Sequence, residues 1–333
     1  MLPDQLLYAT EVVINGLMAG VLYALVALGF VLIFKASGIF NYAQGVMALF
    51  AALTLVGIME GQVPFGHLIN TVFGTNVHHF GWTVPAFAAI LLTLAVMVFL
   101  AWAVNRFLLR YLVGQEPIIL FMATIGLAYF LEGVGDLMWG SDIKTLDVGI
   151  PQGGSFLIED LTAGLGSDEF FGFFIDRLDV VATVVAALLV TGLVLFSQYT
   201  KQGRALRAVA DDHQAALSVG VSLSFIWVLV WSIAGFVALV AGIMWGAKSG
   251  VQFSLSLIAL KALPVLMLGG FTSIPGAIVG GLIIGVGEKL FEFLIGAPYL
   301  GGATEIWFAY VLALVFLVFR PQGLFGERII ERV

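Results

Sequence analysis

INGLMAGVLYALVALGFVLIF, residues 14–34, runs for 21 residues without a charged side chain. As a helix it would be about 32 Å long, enough to cross the hydrocarbon of a bilayer. Working outward from it, runs of this kind cover 12–34, 39–58, 83–105, 117–138, 179–197, 222–246, 254–268, 275–295 and 305–319. The expected fold is therefore all-α, a polytopic helical membrane protein with about 8–9 transmembrane spans and residues 1–333 forming a single transmembrane domain.

Composition agrees. The 333 residues are 61% hydrophobic and only 11% charged, with mean hydropathy +1.09, where a soluble domain carries about a quarter charged residues. The opening MLPDQLLYATE lacks the basic start of a secretory signal, so the first apolar run is expected to stay as a helix. With no cysteine, the chain has no disulfides, thiolate metal sites or cysteine nucleophiles. A net charge of -7 argues against nucleic acid as a partner.

The seventh and eighth runs are separated by GGFTSIPG, residues 269–276. Gly269, Gly270, Pro275 and Gly276 can break a helix there and are the candidate hinge, giving a broken or re-entrant element near 254–295.

Lysine and arginine orient the chain. Nine spans with the 198–221 segment inside place Lys35, Arg106, Arg110, Lys201, Arg204, Arg207, Arg320, Arg328 and Arg332 in the cytoplasm, against Lys144, Arg177 and Lys248 outside. The N-terminus is then outside, the C-terminus is inside, and 139–178 is a long acidic external loop. The other external loop, 59–82, contains His67, His78 and His79, but no further ligand has helical spacing to them, and no metal site is expected.

In KQGRALRAVADDHQAALSVGV, residues 201–221, three basic residues and two adjacent acids fall within twelve positions of a chain that mostly avoids charge. Arg204 to Leu217 holds no proline or glycine, and Arg207 and Asp211 stand at i, i+4, so a short helix bounded by Gly203 and Gly220 is expected. Helical spacing puts Ala205, Ala208, Asp212 and Ala215 or Ala216 on one small face, which suits close docking. A solvated loop obeying the positive-inside rule is the plainer account of the same charges.

GRALRAVADDHQAALSVGV resembles the coupling segment of permeases in the branched-chain amino-acid family of ABC importers. INGLMAGVLYALVALGFVLIF (14–34), GIFNYAQG (38–45), TIGLAYFLEG (124–133) and LKALPVLMLGGFTSIPGAIVGGLIIGVGEKL (260–290) are similar to that family's motifs, in the same order. The resemblance implies a permease subunit that pairs with a homologous second permease, with two ATPase subunits inside and a solute-binding protein outside, in a bacterial inner membrane. The ATPase-coupling residues it implies are Gly203, Arg204, Ala205, Arg207, Ala208, Asp211, Asp212, Ala215, Ala216 and Gly220. No G-x-x-x-x-G-K-[ST] loop is present, so this chain is not expected to supply the ATPase; no cofactor is expected on it, and the resemblance implies ATP and Mg on the partner subunits. Catalysis by the chain is not expected.

Polar residues inside the runs are the remaining candidates. Asn41 and Gln44, at i, i+3, either line the solute path or act as interhelical glue. Lys261, in the middle of a short apolar run, would cost about 2.5–3.5 kcal/mol on insertion scales unless it snorkels or pairs, and Glu288 is the candidate partner. Glycines at four-residue spacing, among them Gly16 and Gly20, Gly242 and Gly246, Gly276 and Gly280, and Gly281 and Gly285, predict close helix packing. Within the importer reading, the solute is a branched-chain or other amino acid, urea, a short amide or an aromatic acid. The competing class is a self-sufficient secondary transporter coupling solute to ions through Lys261, Glu288 and Glu292.

Overall fold

Each of the nine apolar runs is helical in the computed structural model, which describes residues 3–73, 79–112, 115–151, 175–211 and 213–326. In chain order the helices are α1 (Pro3–Ser37), α2 (Gln44–Met59), the short α3 (Gly66–Phe73), α4 (Ala86–Val104, prolonged through a wide π turn to Leu112) and α5 (Pro117–Trp139). There follow α6 (Arg177–Tyr199), α7 (Lys201–Asp211), α8 (His213–Ser218), α9 (Leu223–Ser249), α10 (Ile258–Gly269), α11 (Ile274–Phe291, prolonged to Leu300) and α12 (Glu305–Phe319). Among the described residues the only extended pairings are two isolated bridges, Gln62 with His79 and Lys144 with Val251.

Five of these helices are long and apolar enough to cross a membrane: Ala9–Ser37, Ala86–Leu112, Pro117–Trp139, Arg177–Tyr199 and Leu223–Ser249. Helices α2 and α12 are apolar but shorter. The expected broken element is a helix pair, Phe253–Gly269 and Ile274–Leu300, bent by 113° at its break.

Local sequence sets the ends. Proline opens α5 at Pro117 and α11 at Pro275, where a missing N–H costs nothing. Ser222 and Ser273 cap α9 and α11 by accepting from the backbone N–H of Phe225 (3.4 Å) and Gly276 (3.0 Å). Gly250 closes α9 at φ +77, a conformation that a side chain would strain.

The chain divides into two compact units. The first comprises 1–27, 150–190 and 261–333. Its glycines do what their spacing predicts: Gly16 and Gly20 of α1 face Gly285 and Gly281 of α11. A Cβ on Gly20 would lie 2.6 Å from the Gly281 carbonyl oxygen, and one on Gly16 would lie 2.9 Å from that of Gly285. Neither position has room for a side chain, so the backbones themselves meet.

The second unit comprises 28–149 and 191–260. Helix α9 packs on α2 and α4, and α2 packs on α5. Gly242 of α9 lies so close to α2 that a Cβ would stand 2.5 Å from the Ala48 carbonyl oxygen. Two groups of loops mark the ends of this unit. At one, the Trp227 indole N–H donates to the Ala36 carbonyl (3.3 Å) and Asn105 donates to Ser224 (2.8 Å). At the other, Phe65 N–H donates to the Met138 carbonyl (3.1 Å) and Lys144 exchanges backbone bonds with Val251 (3.0 and 2.8 Å).

Candidate functional site

The charged segment lies at the first of these ends, between α6 and α9. Its described residues are helical as α7 and α8, and Asp212 between them lies outside the described residues. Gly203 does not begin the helix. The cap is Thr200, whose hydroxyl accepts the Gly203 N–H at 2.9 Å while its carbonyl accepts that of Arg204 at 3.1 Å. Gly203 instead lets α7 turn tightly against α6, where a Cβ would strike the Phe196 carbonyl and lie 2.7 Å from Ser197 Cα. At the far end Gly220, at φ +84, closes α8 as expected.

Helix α7 is amphipathic. Leu206 and Val209 are almost wholly buried, at 1% and 0% exposure, and hold α7 onto α9. Outward stand Arg204, Ala208 and Asp211, and in α8 Ala215, all exposed. Ala205 and Arg207 are half-buried, and Ala216 is buried in the protein's own packing, so the open small face consists of Ala208 and Ala215. Arg204 and Arg207 reach back to the carbonyls of Tyr199 (3.4 Å) and Gln198 (3.3 Å), placing positive charge at the C-terminus of α6.

Asn41 and Gln44 are fully buried in the second unit. Asn41 donates to the Gln44 side-chain oxygen (3.2 Å) and accepts from the Ala43 N–H (3.2 Å), and Gln44 donates to the Ala234 carbonyl (3.2 Å). Gly29 leaves the room in which the Gln44 amide sits. Thr124 joins the same break between α1 and α2 from α5: its hydroxyl accepts from the Tyr42 N–H (3.1 Å) and lies 3.0 Å from the Phe40 carbonyl. These groups satisfy the backbone freed at the break, which is what polar residues are needed for where water is absent.

Lys261 and Glu288 come together in the first unit through a third residue. Tyr23 donates its hydroxyl to Glu288 Oε1 at 2.6 Å, and Lys261 Nζ donates to the Tyr23 oxygen at 3.4 Å while lying 5.6 Å from the ring centre. The expected direct pair is a bridged one, because the tyrosine fills the space between the two side chains. Glu292 accepts the backbone N–H groups of Ala303 (3.0 Å) and Thr304 (2.8 Å), and Lys289 pairs with Glu305 at 2.7 Å.

The candidate hinge is a tight corner. Gly269 and Gly276 meet backbone to backbone, and Gly270 has φ +100, open to glycine alone at little cost. Leu324 and Phe325 donate backbone bonds to Leu268 (2.8 Å) and Gly269 (3.2 Å), so the segment after α12 closes over the corner.

At the opposite end of the second unit, Lys144 donates to Gln62 (2.6 Å), which donates to Glu60 (2.6 Å). Burial holds the Lys144 amine below its usual range, against the pull of Glu60 and Asp142. Beside it lies a cleft of about 670 Å³ whose lining includes Gln62, His79, Asp136, Trp139 and Asp142. His79 bridges to Gln62. His78, the side chain of His67, and residues 152–174 of the acidic loop lie outside the described residues.

Sequence reasoning passed over Tyr23, Thr124, Leu206, Val209 and Thr200. The last was open to it, since a threonine three residues before a glycine in a polar stretch is a capping signal.

Apolar spans and a helix pair bent at a corner define a multi-pass membrane protein. The family model described as branched-chain amino acid transport system / permease component matches residues 12–320, and the chain belongs to that family. It is 28% identical to the high-affinity branched-chain amino acid transport system permease protein LivH of Escherichia coli strain K12, over 99% of each chain. LivH of Salmonella typhimurium strain LT2 gives the same identity and coverage, and BraD of Pseudomonas aeruginosa is 29% identical over 99% of each chain. A looser likeness is to the solved structure of PsaBC from Streptococcus pneumoniae in complex with Fab, at TM-score 0.42 and 14% identity, covering 92% of this chain and 91% of that one.

Proposed function

We propose that this chain is the permease subunit of an ABC importer that carries branched-chain amino acids across a bacterial inner membrane. It pairs with a homologous permease, receives solute from an external binding protein and is driven by two ATPase subunits that bind ATP and Mg. The observation that carries this reading is the α7–α8 stub, pinned to α9 by Leu206 and Val209 while Arg204, Ala208, Asp211 and Ala215 face outward. A rigid, small-faced projection can transmit a push, whereas a solvated loop cannot.

The stub sits at the C-terminus of α6 and at the N-terminus of α9, so displacing it moves both helices as levers. ATP-driven closure of the ATPases would then open the path to one side, and the binding protein would favour the other. A shift from 1:99 to 99:1 requires about 5.5 kcal/mol of differential binding.

Sidedness follows from counting crossings. In this reading the pair, bent by 113°, turns back at its break toward the side from which α10 came and adds an even number of crossings. With the five long helices and the two shorter ones the total is odd. The positive-inside bias then puts the N-terminus outside and the C-terminus, with the stub, in the cytoplasm.

Purification of the tagged full chain from its own host tests the proposal. Two ATPase subunits and a second permease should co-purify, and leucine-loaded binding protein should stimulate ATP hydrolysis in proteoliposomes. Solute uptake by this chain alone, driven by an ion gradient, would overturn it. That outcome would favour the ion-coupled alternative, whose Glu292 is already engaged at the start of α12.

A further inference from the structure

Helix α5 contains TIGLAYFLEG, residues 124–133, and most of that stretch has no part in the packing described above. Thr124, Leu127, Ala128 and Leu131 are buried against the second unit. The opposite side carries Met122, Gly126, Tyr129, Glu132, Gly133 and Asp136. Tyr129 is 69% exposed, Gly126, Gly133 and Asp136 are exposed, and Glu132 is half-buried. No atom lies within 4 Å of where a Cβ would stand on Gly126 or Gly133.

The polar side chains of this face are out of place against lipid. Glu132 lies seven residues before the end of α5 at Trp139, and Tyr129 ten, so they sit about 10 and 15 Å along the helix axis from that end. Tyrosine belongs at the membrane interface, and a carboxylate inside a span faces a partner or a water-filled cavity. Neither side chain has a hydrogen bond or ion pair with another described residue. Toward its end the stripe runs on into the cleft of about 670 Å³, where Asp136 shares the lining with Gln62, His79 and Asp142. Tyr129, Glu132 and Asp136 thus form a polar edge, beside the exposed Phe130 and Leu137, that leads from the end of the second unit into the depth of a span.

We infer that the face of α5 bearing Tyr129, Glu132, Gly133 and Asp136 lines the water-filled solute path, and that Glu132 and Asp136 receive the ammonium group of an α-amino acid. The ammonium assignment rests on the proposed substrate class; the water-lined face does not. Charge complementarity selects the occupant. A zwitterion's ammonium can move from Asp136 to Glu132, one helical turn deeper, while its apolar side chain finds Met122 and Tyr129. The glycines leave width for it to pass. A helix of the partner permease covering this face would instead have to meet each carboxylate with a cation or hydrogen-bond donors.

The absence of native cysteine makes the test direct. Single-cysteine variants Gly133→Cys, Phe99→Cys and Ser141→Cys, in the full chain in membranes, are treated with an impermeant charged thiosulfonate. Phe99, 64% exposed on the apolar α4, serves as the lipid-facing control and Ser141, in the cleft, as the aqueous one. Gly133→Cys should react within tenfold of Ser141→Cys and at least a hundredfold faster than Phe99→Cys. Reaction as slow as at position 99 would overturn the path assignment. In the assembled transporter, Glu132→Gln should lower leucine uptake per complex at least tenfold, and Glu132→Asp should restore most of it, with membrane abundance scored for each. Wild-type uptake by Glu132→Gln would overturn the ammonium role. Failure of the ATPases to co-purify would remove the importer reading and leave the labelling result standing, so the two failures are distinct.

Discussion

Tyr23 places one hydroxyl between a cation and an anion inside a span, and its loss should be felt by both. Without it Glu288, 2% exposed, would keep no hydrogen bond from α1, and Lys261 would lose its acceptor. A hydrogen bond to a buried charged group contributes about 1.5–3 kcal/mol, so Tyr23→Phe should lower stability by that order. Thermal unfolding of the purified complex in detergent measures it. In a double-mutant cycle, Tyr23→Phe and Glu288→Gln should show coupling of about 1 kcal/mol or more, and simple additivity would remove the bridge from the account. Lys261→Met should cost less than Tyr23→Phe, since Lys261 is only half-buried and its bond, at 3.4 Å, is the longer one. The two charges were legible in the sequence because a charge in an apolar run must find a partner. Tyr23 was not, because one hydroxyl among the 21 apolar and small residues of 14–34 looks like any other aromatic until the helix opposite is known.

Helices α7 and α8 separate the part of the fold that pattern can reveal from the part that only packing decides. Alanine spacing pointed to the small face, and Ala208 and Ala215 do stand open, but the same spacing could not tell Ala215 from Ala216, which is buried. The choice is made by Leu206 and Val209 seating α7 on α9, a contact that a helical wheel does not contain. Spans and glycine faces were legible for the opposite reason: their period is fixed by the helix, and Gly16 and Gly20 meet Gly285 and Gly281 as spacing alone requires. Two substitutions separate seat from face. Leu206→Ala removes a side chain with 1% exposure and should cost about 2–5 kcal/mol locally, loosening the stub and lowering coupled ATP hydrolysis. Ala208→Trp should leave membrane abundance unchanged yet abolish ATPase co-purification by overfilling the contact. Normal hydrolysis and transport with Trp at 208 would mean that this face touches nothing.

At the scale of the whole molecule the sidedness of the chain turns on one corner. If Phe253–Gly269 and Ile274–Leu300 crossed together as one span, everything after the corner would change sides relative to everything before it. On the proposed topology the pair, bent by 113°, turns back at the corner, and the backbone bonds that Leu324 and Phe325 make to Leu268 and Gly269 hold the end of α12 beside it. On that topology helices α11 and α12 run out and back between them. Four single-cysteine variants of the cysteine-free chain decide the matter: Ser141→Cys and Tyr299→Cys should be labelled by an impermeant reagent in intact cells, and Gln202→Cys and Arg320→Cys only in inverted vesicles. All four positions lie at the surface, Tyr299 at 80% exposure, so silence from one side is not silence from burial. Ser141 and Gln202 test the second unit and the positive-inside bias. Labelling at Tyr299 and Arg320 tests the corner: label at 320 from outside together with protection at 299 would make the bent pair a single crossing and put the two chain ends on one side of the membrane.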